Sequence, residues 1–184
     1  MRFVIATLVL LLVGCQPSRD AVVADAKKAQ AELLSKADPQ QSLSAFSGTV
    51  IGKDEGEWGG EVAFKESNGT TYTVVADNSH GLFEMPYGVI ALTGLAHLGI
   101  NRGAVHLLSR PPNSRVISHQ LMELPGAPCD VVRVGDHVNM RIPTGHKRLS
   151  SGVTTSAFSC YALVSQKQLV QYKCPIPEPE ICFG

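Results

Sequence analysis

An all-β domain is predicted for everything from Ala45 onward, and three observations predict it. Apolar and polar residues alternate, as in Glu61-Val62-Ala63-Phe64-Lys65, where Val62 and Phe64 share one face and Glu61 and Lys65 look away. Turn residues recur roughly every eight to twelve positions. Charged residues make up only 17% of the chain, against about 25% in ordinary globular proteins, while 17 glycines and 11 prolines supply tight turns. The expected architecture over 45–184 is an antiparallel meander, propeller-blade-like or stacked as a sandwich, preceded by a short N-terminal helix.

The strands follow in order. Ser67-Asn68-Gly69 turns the chain after 61–65, since Asn-Gly readily adopts positive φ at both positions. Residues 71–76 and 88–95 are the next strands. Within the latter, Val89-Ile90-Ala91-Leu92 is apolar on both faces, so this strand belongs at the centre with cover on each side. Residues 103–109 and 115–121 come next, separated by Pro111-Pro112-Asn113. A weak echo at about fifty residues relates 82–93 and Val105-His106-Leu107-Leu108 to 131–141 and Cys160-Tyr161-Ala162-Leu163. That period is near one propeller blade, a four-stranded meander. Two to three such units fit into 45–184, too few to close a ring, which leaves an open or sandwiched stack.

Ahead of the β domain, 20–36 is rich in Ala, Lys, Glu, Leu and Gln and free of Gly and Pro. It predicts a spacer helix, stopped at Asp38-Pro39 because proline disfavours helical geometry in the preceding residue, with a Gln/Ser-rich joint at 40–44. At the start, Met1-Arg2 supplies positive charge and 3–13 an apolar run too short to span a bilayer of about 30 Å.

The run ends in Leu12-Val13-Gly14-Cys15, which resembles the lipobox of bacterial lipoproteins over the first 15 residues. The resemblance implies a cleaved signal peptide at 1–14, a lipid on Cys15, and an anchor, spacer helix and linker over 15–44. Gln16, where an aspartate would retain such a protein in the inner membrane, implies the outer membrane, facing the periplasm. The implied partners are the membrane, through the lipid, and an envelope protein. With 16 basic and 16 acidic side chains the chain has no net field to attract phosphate, so nucleic acid is not expected as a partner.

Motifs of known chemistry are missing: there is no Gly-x-Ser-x-Gly, Walker loop, His-Glu-x-x-His, Ser-x-x-Lys or Cys-x-x-Cys. Neither catalytic residues nor a cofactor are expected. His97 and His106 flank Ile100-Asn101-Arg102-Gly103, and a two-residue loop at Asn101-Arg102 would set them face to face as half of a metal site. Gly103 instead favours a three-residue loop, which puts the imidazoles on opposite faces with no metal between them. Asp54, Glu55 and Glu57 lack calcium-loop spacing and read as a solvated turn. Trp58, the only tryptophan, is expected to pack over Gly59-Gly60. A hydrolase would need His80, His97 or His106 beside both a carboxylate and a nucleophile. The leading expectation is a lipid-anchored envelope protein acting by binding or structural contact. The alternatives are an inhibitor- or immunity-type lipoprotein directed at an envelope-acting enzyme, and an envelope hydrolase.

Four cysteines remain besides Cys15, an even set in an oxidising compartment, and two disulfides are expected. Cys160 and Cys174 fall on like faces of a hairpin through Gln166-Lys167-Gln168, which pairs them opposite each other. The alternating prolines Pro175, Pro177 and Pro179 make an extended arm that carries Cys182 toward Cys129.

Overall fold

The computed structural model describes residues 41–148 and 154–174; the expected signal peptide, Cys15, the expected helix over 20–36 and Cys182 lie outside them. The described residues build three four-stranded antiparallel meanders. The first sheet is β1 (Ser42–Ala45), β2 (Gly48–Lys53), β3 (Glu61–Glu66) and β4 (Thr71–Val75). The second is β5 (Ser79–Met85), β6 (Gly88–His97), β7 (Ile100–Ser109) and β8 (Ile117–Leu124). The third is β9 (Cys129–Val134), β10 (His137–Arg148), β11 (Thr154–Ser165) and β12 (Gln168–Tyr172). The all-β reading, the meander order and the count of blade-like units are therefore correct. The first strand starts at Ser42, inside the stretch read as a joint, because Leu43 already packs on the core.

The second sheet is the middle layer. Side chains alternate along a strand, so Val89 and Ala91 of β6 face one way and Ile90 and Leu92 the other. Val89, Ala91, Leu82 and Leu108 pack against Val50, Val62 and Phe64 of the first sheet. Ile90, Leu92, Phe83 and Val105 pack against Val138, Met140, Ile142 and Leu163 of the third. Burying each such side chain stabilises the fold by about 1.5–3 kcal/mol. The first sheet turns a polar face outward, where Lys53 Nζ lies 2.9 Å from Glu61 and the Thr73 hydroxyl donates to the same carboxylate. The Thr73 hydrogen bond first, and then Lys53, hold the Glu61 carboxyl below the usual range.

Turn chemistry departs from expectation at three places. Between β3 and β4 the turn is Ser67-Asn68-Gly69 as expected, closed by the Glu66 amide donating to the Thr70 carbonyl, but only Gly69 takes a positive φ, 89°, where the sequence predicts one at Asn68 too. Between β6 and β7 the turn is Leu98-Gly99, with φ of 43° and 88°, and Asn101-Arg102 belongs to β7. Gly103 is a glycine for a different reason: a Cβ there would lie 2.3 Å from the carbonyl oxygen of Gly126. His97 consequently opposes Ile100 and His106 opposes Ala91. The two histidines share a face after all, but stand six residues apart along β7, about 20 Å. Among the described residues no group of three His, Cys, Asp or Glu is placed to hold a metal.

The third departure is in β11 and β12. Their turn is the two-residue Gln166-Lys167, with a bulge between Leu163 and Ser165, so Cys160 opposes Tyr172. Cys160 and Cys174 are nevertheless bonded, with Cα atoms 5.3 Å apart, across a diagonal of the ladder. Their shared face is the one turned away from the second sheet, where Cys160, Ala162 and Tyr172 form a separate small cluster. Cys129 is also disulfide-bonded. Its expected partner, Cys182, lies outside the described residues.

Candidate functional site

All three sheets send a segment to one end of the stack, and these segments enclose a cleft of about 780 Å³. The first sheet contributes the link from β2 to β3, residues 54–58, whose Gly56–Trp58 part is a single 3-10 turn. The second contributes His80 and the end of β6, and the third contributes Cys129, Asp130 and Pro143.

Two asparagines fix this geometry. Asn78, 2% exposed, accepts from the Glu55 amide at 3.1 Å and donates to the Gly56 carbonyl at 2.7 Å, which pins the acidic loop to the second sheet. Asn101 donates to the Pro143 carbonyl at 2.6 Å and accepts from the Ala127 amide at 2.9 Å, which pins the second sheet to the third. A peptide group left unpaired in such a junction would cost about 1–3 kcal/mol, so each amide side chain holds two sheets in one register.

Two histidines then meet carboxylates across the first and second sheets. His80 sits where the β5 register shifts, between Ser79 and Gly81; its Nε2 lies 3.1 Å from the Gly94 carbonyl and its Nδ1 3.4 Å from Asp54. The carbonyl can only accept, so Nε2 carries a proton. His97 Nε2 lies 2.7 Å from Glu57. On the third sheet Asp130 pairs with Arg141. Asp54, Glu55 and Glu57 are all exposed, in keeping with a solvated turn, yet two of the three have a histidine partner that the sequence did not announce.

Trp58 is 84% exposed at the mouth of the cleft, so the expectation that it packs over Gly59-Gly60 is wrong. Gly60 has another task. A Cβ there would meet the Lys53 carbonyl at 2.2 Å and Asn78 at 2.5 Å, and its absence lets the chain close on the asparagine clamp.

A hydrolytic reading needs a nucleophile beside one of these histidines. Among the described residues lining the cleft there is no hydroxyl or amine side chain, and Cys129 is already bonded. His106 lies elsewhere, on the face of the second sheet that meets the first, with Nδ1 buried and unpartnered. Burial pushes its pKa down, and Asp77 opposes that only in part.

A lowered histidine pKa means that the folded protein holds His106 neutral, while the unfolded chain takes up a proton near pH 6.5. Stability should therefore fall as the pH drops below about 6.5, and level off below the folded value. Urea denaturation at about pH 7 and pH 5 should show a smaller difference in His106→Gln than in the parent. An equal difference in the two proteins would remove His106 as a source of the pH dependence.

Comparison with family models, with curated proteins and with solved structures finds no match for the chain.

Proposed function

We propose that this protein is a lipid-anchored module of the bacterial cell envelope that works by contact, with the cleft end of the three-sheet stack as its binding surface. The observation that carries the reading is the placement of the chain's single tryptophan, 84% exposed, at a cleft to which all three sheets contribute. Aromatic side chains set beside a cleft dominate binding energy where proteins meet. The lipobox-like Leu12-Val13-Gly14-Cys15 supports the anchor, and Gln16 in place of aspartate supports the outer membrane, facing the periplasm.

The test is photo-crosslinking in cells. A photoreactive residue at position 58 should yield a specific adduct with an envelope component, and the same residue at position 71, on the polar face of the first sheet, should not. Equal labelling from both positions, or none from 58, ends the proposal. The anchor has its own check: Cys15→Ser should move the protein from the membrane fraction to the soluble periplasm. Retention of the serine variant in membranes washed with high salt would show that something other than a lipid on Cys15 holds it there.

The inhibitor-type version of this reading is favoured by one feature, the tip of the β6–β7 hairpin, where Leu98 protrudes with 90% of its surface exposed. An adduct with an envelope-acting enzyme in the crosslinking experiment would select it.

A further inference from the structure

Two hairpins in this fold place a large apolar residue in the left-handed region, and their fates differ. In the β1–β2 turn, Phe46 and Ser47 have φ of 53° and 63°. Phe46 turns inward: its ring meets Phe64 edge-on at 6.4 Å, and its carbonyl accepts from Arg110 at 2.8 Å. Packing and a charged hydrogen bond offset the backbone strain there. In the β6–β7 turn, Leu98 has a φ of 43° and is 90% exposed, so no packing against the other described residues compensates it. Asparagine, aspartate or glycine would suit the position better, since a Cβ crowds the carbonyl in this conformation. A strained leucine that the other described residues leave uncovered is suited to contact with a partner.

Its neighbourhood says what. His97, next in the chain, bonds to Glu57, which brings Trp58 to the base of the hairpin, and Ile100, opposite His97, is 52% exposed. Trp58 and the hairpin tip that carries Leu98 and Ile100 are thus held on adjoining segments, an apolar apex beside the cleft. Asp54, Glu55 and Glu57 lie beside it, Asp54 and Glu57 next to His80 and His97, while the nearby Arg102 is paired with Asp77. The carboxylates make this apex unsuited to an anionic lipid surface and complementary to cationic groups.

We infer that the apex is the docking site for a protein segment that offers leucine-like side chains together with lysine or arginine: apolar groups cover Leu98, Ile100 and Trp58, and the basic ones meet the carboxylates beside it. This names the partner chemistry of the contact surface proposed above, and it rests on that reading.

The experiment uses the full-length chain carrying Cys15→Ser, with the emission of Trp58, its only tryptophan, as reporter. The probes are a short peptide alternating lysine and leucine, its glutamate–leucine counterpart, and phosphatidylglycerol vesicles. The lysine peptide should shift the emission saturably, with an affinity that falls as salt is raised. The glutamate peptide and the vesicles should leave it unchanged. Leu98→Asn should weaken the lysine peptide at least about tenfold while the melting temperature stays equal or rises, since asparagine suits the turn. Glu55→Lys should weaken it as well. The inference is overturned by equal binding of the two peptides, by a response to the vesicles, by undiminished binding in Leu98→Asn, or by no response to any probe. Crosslinking from position 58 that survives such a result would leave the contact reading standing and remove only this partner chemistry.

Discussion

Truncating Ile90 to alanine is expected to cost about 2–5 kcal/mol, the usual range for an isoleucine removed from a filled core. Ile90 is fully buried on the face of the second sheet that meets the third. Leu82, equally buried, lies on the face that meets the first sheet, and Leu82→Ala should cost a similar amount. Because both faces belong to one sheet, each variant should shift a single unfolding transition without splitting it. Urea denaturation followed by circular dichroism measures the midpoint, and hydrogen exchange shows whether all three sheets open together. A loss below about 0.5 kcal/mol in Ile90→Ala is what a surface substitution produces, and it would contradict the packing of the second sheet on the third.

Removing the Cys160–Cys174 disulfide is expected to cost about 3 kcal/mol, the value for a cross-link closing a loop of roughly this length. The two cysteines are 14 residues apart and tie the end of β12 to β11. The paired variant Cys160→Ala with Cys174→Ala isolates the effect, since neither leaves an unpaired thiol. Tyr172 provides a second readout, because it opposes Cys160 in the ladder. Burial pushes its phenol up to about 12, with Arg141 pulling slightly the other way. A raised folded value means that the benefit of a neutral Tyr172 is complete below pH 10 and is lost as the pH climbs toward 12. If the double variant loosens β12, alkaline titration should find this phenol closer to 10. An unchanged midpoint together with an unchanged titration would show that the bond carries no constraint.

Comparison of these elements with the sequence shows where legibility ends. The placement of Val89-Ile90-Ala91-Leu92 at the centre could be read directly, because a strand apolar at every position needs cover on both faces wherever it sits. The meander order was equally legible, since alternation and turn spacing are properties of the chain alone. Gly103 misled because glycine serves two ends. In the sequence it looks like a turn former, but it is needed where the Gly126 backbone passes within contact distance, a neighbour 23 residues away. The real turn at Leu98-Gly99 carried a residue that turn statistics disfavour, so local preference pointed elsewhere. The disulfide was found with the right partners and a ladder register two residues off, because the bulge after Leu163 leaves no local mark.

The cleft was not legible at all. Its walls are set by Asn78 and Asn101, whose partners lie between 22 and 42 residues distant, and an asparagine in a turn-rich chain looks like any other. The exposure of Trp58 is illegible for the same reason: whether an aromatic packs inward depends on a loop direction that Asn78 imposes.

Every ladder in the described residues joins consecutive strands, and no sheet borrows a strand from another. A chain with this order can complete each sheet from a single continuous segment, 42–75, 79–124 or 129–172, without waiting for a distant one, and local closure of this kind favours fast folding. The layers then behave as a short one-dimensional array, coupled only between nearest neighbours. As the chain is made from its N-terminus, the first sheet can hydrogen-bond early, but its inner face stays wet until β5 and β6 arrive. The second sheet is satisfied last, because it needs both neighbours. A protein interrupted after β8 would therefore present Ile90, Leu92 and Val105 to solvent, a surface that chaperones and proteases can recognise as unfinished.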